Sequence, residues 1–391
     1  MTLTASALAE TQLLLDALRP DQDSDAWEQA RSTASAAWDR LAVHAIVIGL
    51  GPMFHHRLSC WSLTPSPAAA AKLGATYKAT AARSAWLYNQ LGEVLTACAA
   101  VGLAPIVLKG MHLAAVYYNE PALRPMSDID LLFAPAELAQ AETLLDALGY
   151  TGKHTPADLG PGIVKHTSTF RRGDAIAATP NPYLSSAGDA MIEPHRSLEE
   201  SWFDLTVDIT PGMRERAANA DLGGYTCRVL APEDLLLHLC VHFCFHLLMG
   251  RSALVQLVDI QVVVGAAELD WEQFAVRASE REAGPYCLAA LRLARDLVGA
   301  PIGADTIKAI ESLVPSHLRN RIQGLGLAHI LRRTQQPPLR TIPQRILRGF
   351  ADRAETARWA GDWRGKLRVW RTALRVSSTD TGRMLLRRKL H

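Results

Sequence analysis

Ile106-Val107-Leu108-Lys109-Gly110 and, one short interval later, Arg124-Pro125-Met126-Ser127-Asp128-Ile129-Asp130-Leu131-Leu132-Phe133 decide the fold class. Both apolar runs have the length of a strand, and the Lys-Gly between them opens a helix expected over Met111 to Tyr118. Side chains alternate along a strand, so Asp128 and Asp130 share one face while Ile129 and Leu131 occupy the other. Two carboxylates held side by side repel, and an apolar sheet beside them worsens the repulsion unless cations neutralise it. Divalent metal, Mg²⁺ or Mn²⁺, is the expected partner.

Working outward, two ions about 3.5–4 Å apart need a bridging carboxylate and flanking ones to activate an attacking oxygen and neutralise a transferring phosphate. Met191-Ile192-Glu193-Pro194-His195 offers Glu193 as the third acid, with His195 pointing the same way two residues on. Asp208, in Val207-Asp208-Ile209, is its rival. Gly110 lets a phosphate approach the backbone, and the amides at the start of the following helix favour an anion. Lys109 and Arg124 are the cations expected to hold phosphate oxygens, with Ser127 and His195 completing the nucleotide-binding set.

The remaining chain sets bounds. With 391 residues it exceeds one typical core and suggests two or three domains. Hydrophobic content of 49% against 20% charged residues describes a folded chain rather than a disordered one. The six cysteines form no CxxC pair and read as reduced thiols, giving a cytoplasmic expectation. No leader pattern opens the sequence, and no apolar run reaches the ~20 residues of a membrane span. No membrane association is expected.

Helical patterns fill residues 1–101, and short apolar runs at 105–109, 128–133, about 163–171 and about 189–196 mark a mixed α/β core over 102–228. Pro135 to Leu148, closed by Gly149, reads as the helix between the second and third runs. Helical patterns resume over 229–330, and residues 331–391 form a basic tail. That tail holds 16 Lys or Arg against 4 Asp or Glu, a charge of +12 on a body of −10. A basic end fits nucleic acid or another polyanion. The favoured expectation is an amphipathic helix, because Trp359, Trp363, Leu367, Trp370 and Leu374 recur at steps of three or four.

Together Leu108-Lys109-Gly110, Tyr117, the Arg124 to Leu132 segment and Glu193-Pro194-His195 resemble the bacterial uncharacterised nucleotidyltransferase family of the DNA polymerase beta-like superfamily. The resemblance takes in Trp27, Leu230-Ala231-Pro232-Glu233-Asp234 and Leu257-Val258-Asp259, spanning roughly residues 20–300. It implies an α+β fold, a minimal nucleotidyltransferase mixed sheet flanked by N-terminal and C-terminal helical regions. It also implies metal-dependent transfer of a nucleoside monophosphate from an NTP to an acceptor. On this mapping Gly110 is the phosphate-loop glycine, Asp128 and Asp130 the metal pair, and Glu193 the third acid. The chain departs from the wider superfamily in having Gly110-Met111 where Gly-Ser is usual. Pro194 also removes a strand donor, which suggests an edge strand, and residues 174–190 make a long polar connection that fits acceptor selection.

His238, His242 and His246 fall on one face of a helix, with Asp259 as a further donor for zinc. Steps of four climb about 6 Å each, so one ion is reached comfortably by only two of them. A packed role in core or interface is the expectation, with pocket lining and zinc as lesser ones. The functional expectation is nucleotidyl transfer to a small molecule, saccharide or peptide. Its alternatives are transfer of another phosphorylated group by a tailoring enzyme, and a non-catalytic polyanion-binding protein. Base, acceptor identity and oligomeric state leave no short motif in the chain.

Overall fold

A computed structural model of the protein describes residues 5–152, 169–173, 190–251, 254–336 and 340–375. It opens with five helices, α1 (Ala5–Ala17), α2 (Ser24–Thr33), α3 (Trp38–Val47), α4 (Gly51–Cys60) and α5 (Pro67–Ala100). Local signals set their starts. The Asp23 carboxylate accepts from the amides of Asp25 and Ala26 to cap α2, and Ser66 caps α5 ahead of Pro67. Trp27 is buried among Trp38, Phe54 and Trp61 and donates its indole N–H to the Leu13 carbonyl at 2.8 Å.

The mixed core follows: β1 (Ile106–Val107), α6 (Lys109–Val116), β2 (Ile129–Leu132), α7 (Leu138–Ala147), β3 (Phe170–Arg172) and β4 (Ala190–His195). A separate hairpin, β5 (Glu199–Trp202) and β6 (Leu205–Asp208), leads through the short α8 (Met213–Arg216) to β7 (Ala218–Leu222) and β8 (Tyr225–Val229). The main sheet has the order β3-β4-β2-β1-β8-β7. β2 runs antiparallel to β1 and parallel to β4, while β8 lies parallel to β1. Leu87, Tyr88, Leu91 and Val94 of α5 join Met111, Ile129, Leu131, Phe133 and Leu145 in the core over one sheet face. Gly92 makes room there for the end of the Tyr225 ring, which a Cβ would meet at 2.0 Å.

Pro194 does not lie on an edge strand, contrary to expectation, because β4 sits between β3 and β2. The reason it is tolerated is local. His195 offers its carbonyl to Phe133 N, so the backbone of residue 194 faces away from β2. On that side β3 pairs only as far as Phe170 opposite Ile192. The missing donor therefore interrupts no ladder among the described residues. The first part of the third expected run and nearly all of 174–190 lie outside those residues.

Beyond the sheet come α9 (Pro232–Leu248), α10 (Leu254–Ala266), α11 (Trp271–Glu280), α12 (Gly284–Val298), α13 (Ala304–Ser312), α14 (Ser316–Gln323) and α15 (Leu327–Thr334). Nearly every side chain of α9 is buried, the signature of a helix apolar all round at the centre of a bundle. Leu14 and Phe54 from the first helices share this core with Phe243, Leu257 and Leu291. The two helical regions are thus one packed body, with the sheet between them in sequence. No helix among the described residues is long and apolar enough to cross a membrane.

The tail departs from the sequence pattern. It forms two helices, α16 (Ile342–Ala357) and α17 (Trp363–Arg375), and Trp359 falls between them. Trp359 is buried and stacks on Tyr286, centroids 5.6 Å apart. Trp363 is 68% and Leu367 53% exposed. The expected continuous stripe covering the bundle is not formed, because Gly361-Asp362 breaks the helix and Asp362 accepts from the Gly365 amide as the second one begins.

Candidate active site

The register of β2 against β4 builds the site. Asp130 sits directly opposite Glu193, Leu132 opposite His195, and alternation sends these side chains to the face opposite Ile129 and Leu131. Asp130 is buried, and its Oδ1 lies 2.7 Å from Lys109 Nζ and 2.7 Å from His195 Nε2. Glu193 Oε2 is 4.0 Å from the same imidazole nitrogen, and its Oε1 accepts from Thr169 Oγ1 at 3.1 Å. Asp128 accepts from Ser127 Oγ at 3.3 Å, and Arg83 holds the Ser127 carbonyl at 2.9 Å.

Electrostatics divides the acids. Burial raises the Asp128 carboxyl, and the neighbouring Asp130 and Glu193 raise it further, to about 7. Burial acts on Asp130 as well, but Lys109 and His195 outweigh it and hold that carboxyl well below its usual range. Lys109 has the mirror behaviour: burial disfavours its charge, yet Asp130, Asp128 and Glu193 raise its pKa. Three carboxylates that cannot all ionise comfortably are a donor set a divalent cation would relieve. Asp130, Glu193 and His195 each bring one ligand atom within 4.8 Å of the others.

Lys109 opens α6 with φ of +43°, a left-handed conformation that a non-glycine residue adopts at a cost of order 1–3 kcal/mol. Gly110 follows it, buried, and a Cβ there would lie 2.6 Å from Arg124 Nη1 and 3.1 Å from Met126 Cγ. Close packing against Arg124 is therefore a reason for this glycine besides phosphate approach.

Arg124 is committed to a second partner. Its Nε and Nη2 each donate to Asp259 at 2.8 Å, and Tyr118 donates to Asp259 Oδ1 at 2.8 Å. Asp259 is fully buried, so the fork is a tertiary tie between the site loop and α10. Asp208 lies on the separate β5–β6 sheet, where its Oδ1 accepts from Thr210 N at 2.9 Å. The geometry brings Glu193, not Asp208, to Asp130. His238 and His242 likewise leave Asp259 and meet Glu200, while His246 Nδ1 lies 3.1 Å from Gln256 Nε2. Thr169 and Arg83 were missed by sequence reasoning, because neither stands in a motif; Glu200 carried only the alternation of a strand.

One neighbour gives a pH test. His112 on α6 is 1% exposed, and burial lowers its pKa from 6.5 to about 4. Its unfolded form takes up a proton first as pH falls, so the stability its neutral form permits is present above about 6.5 and lost as pH drops through 4. Replacing His112 with Gln removes that uptake. Urea unfolding at pH 7 and pH 4.5 is expected to show the wild type losing roughly 2 kcal/mol more than the variant; equal losses would contradict a neutral buried imidazole.

The chain matches no curated protein and no solved structure. A family model described as an uncharacterised nucleotidyltransferase covers residues 34–299, from just before α3 through the sheet to the end of α12. The match spans more than half the chain, including every residue of the acidic cluster, and the protein therefore belongs to this uncharacterised nucleotidyltransferase family, with nucleotidyl transfer as its class of activity.

Proposed function

We propose that the protein transfers a nucleoside monophosphate from an NTP to a hydroxyl of a small molecule, saccharide or peptide, in a reaction dependent on Mg²⁺ or Mn²⁺. The observation that carries this reading is the parallel register setting Asp130 beside Glu193, with Asp128 close enough to feel the repulsion of both. Asp128, Asp130 and Glu193 are the residues that would hold the ions. When bound, such ions neutralise the triphosphate and lower the pKa of the acceptor hydroxyl. The acceptor hydroxyl gives its proton to solvent, its oxygen forms a bond to the α-phosphorus, the bond from that phosphorus to the β-phosphate oxygen breaks, and pyrophosphate leaves. Lys109 is the cation of the site: it compensates Asp130 at 2.7 Å and is placed to meet phosphate oxygens. His195 fixes the Asp130 carboxylate through Nε2, and Thr169 does the same for Glu193. Ser127 and the Gly110 backbone complete the nucleotide contacts.

A screen of labelled NTPs against candidate acceptors tests the activity directly. In the assay it yields, Glu193→Gln is expected to lower turnover more than roughly tenfold with little change in NTP binding, because the missing charge matters in the transition state. Asp208→Asn is expected to have little effect. The reverse pattern would move the third acid to β6 and overturn this site.

A further inference from the structure

We propose a second metal site, formed by Glu200, His238 and His242, that takes a zinc-class ion and fastens the β5–β6 hairpin to α9. His238 and His242 are four residues apart on α9, so both rings project from one helical face, with centroids 5.7 Å apart. Glu200 arrives from β5, its Oε1 2.6 Å from His242 Nδ1. One ligand atom from each of the three lies within 4.8 Å of the other two. All three residues are buried, at 2%, 1% and 7% exposure respectively.

The donor set selects its ion. Two imidazoles and a carboxylate suit zinc and its transition-metal neighbours, and a helical His pair at this spacing is a recurrent zinc arrangement. Magnesium prefers oxygen ligands in an octahedron and gains little from two imidazoles. The acids of β2 and β4 have the opposite character, so the two sites part by chemistry, and this one does not depend on how the acidic cluster is used.

The distances require small adjustments only. Tetrahedral coordination with bonds of about 2.0–2.2 Å places ligand atoms roughly 3.3–3.6 Å apart. Glu200 and His242, now at hydrogen-bonding distance, would open slightly, with the ion replacing the proton they share. Buried carboxylates are costly without a cationic or hydrogen-bonding partner, and the ion supplies a stronger one from the same direction. The consequence is a fixed link between a two-stranded hairpin, marginal on its own, and the most buried helix of the bundle.

The test uses the full-length chain carrying Asp128→Asn and Asp130→Asn, so that the acidic cluster does not compete. Zn²⁺ alone and Co²⁺ alone are added, then removed by dialysis, and retained metal is counted. We expect one Zn²⁺ per chain, a raised melting temperature, a visible ligand-field spectrum with Co²⁺, and no comparable effect of Mg²⁺. Loss of an outer-shell partner already costs about 10–100-fold in metal affinity, so His238→Gln or His242→Gln is expected to weaken Zn²⁺ binding by roughly 100-fold or more. Glu200→Gln is expected to weaken it as well. Retention unchanged in the histidine variants would overturn the assignment. Should those variants fail to fold, the unsubstituted site decides: no retained Zn²⁺ and no Co²⁺ spectrum would equally overturn it.

Discussion

Asp128→Asn combined with Asp130→Asn is expected to abolish the stabilisation that Mg²⁺ or Mn²⁺ and a non-hydrolysable NTP give the wild type. A ligand at 100 times its Kd stabilises the native state by about 2.7 kcal/mol, so a wild-type shift of the melting temperature is readily measured. The double variant removes Asp130 of β2, buried against Lys109 and His195, and Asp128 just ahead of the strand, whose carboxyl is raised by burial and its neighbours. Turnover is expected to fall by about 10³-fold or more, since these groups act as one unit in the transition state. Asn keeps the size of each side chain, and the fold is expected to survive. A variant that still shows the full ligand shift would remove the proposed ion site.

The second large effect concerns stability rather than turnover. Asp259→Ala strips a fully buried carboxylate from Arg124 and Tyr118 and leaves the guanidinium without its fork partner. Breaking a buried pair from one side typically costs about 3–5 kcal/mol. Urea denaturation is expected to show a loss of that order, and Arg124→Ala a similar one. The double variant should cost clearly less than their sum, because each single change strands the other's partner. Additive losses would show that the contact carries little coupling. Gly110→Ala tests the same tie, since its methyl would need the space held by Arg124 Nη1.

The placing of the acids was legible because strand alternation is a strictly local rule. Asp128, Ile129, Asp130 and Leu131 fix a face without reference to any partner, and Glu193 with His195 repeats the logic. The tie of Arg124 to Asp259 was hidden for the opposite reason. Its neighbours in sequence are the site residues, but its partner Asp259 is on α10, and no local pattern distinguishes a salt bridge to a distant helix from a grip on phosphate. The tail failed through an over-extended period: helical spacing continued across Gly361, where the chain in fact turns and Trp359 finds Tyr286. β8 had a signal that went unused. Gly223 and Gly224 both have positive φ, at 66° and 89°, as a tight hairpin between β7 and β8 requires. The mixed polarity of Tyr225 to Val229 obscured it.

That strand imposes an order on synthesis. β1 is flanked by β2, which follows it closely, and by β8, whose partnering residues are Arg228 and Val229. While a ribosome is still extending the chain through the intervening segment, Ile106 and Val107 present an open ladder edge on the side that β8 will later fill. An open edge is a template for the wrong strand, from the same chain or another. The helices ahead of β1 contact one another without that closure, although Leu14 and Phe54 also wait for the later helices they pack against. A message truncated before residue 225 is thus expected to yield chains that gather at the ribosome exit with sticky edges, whereas one extended past residue 229 delivers the strand that seals the sheet.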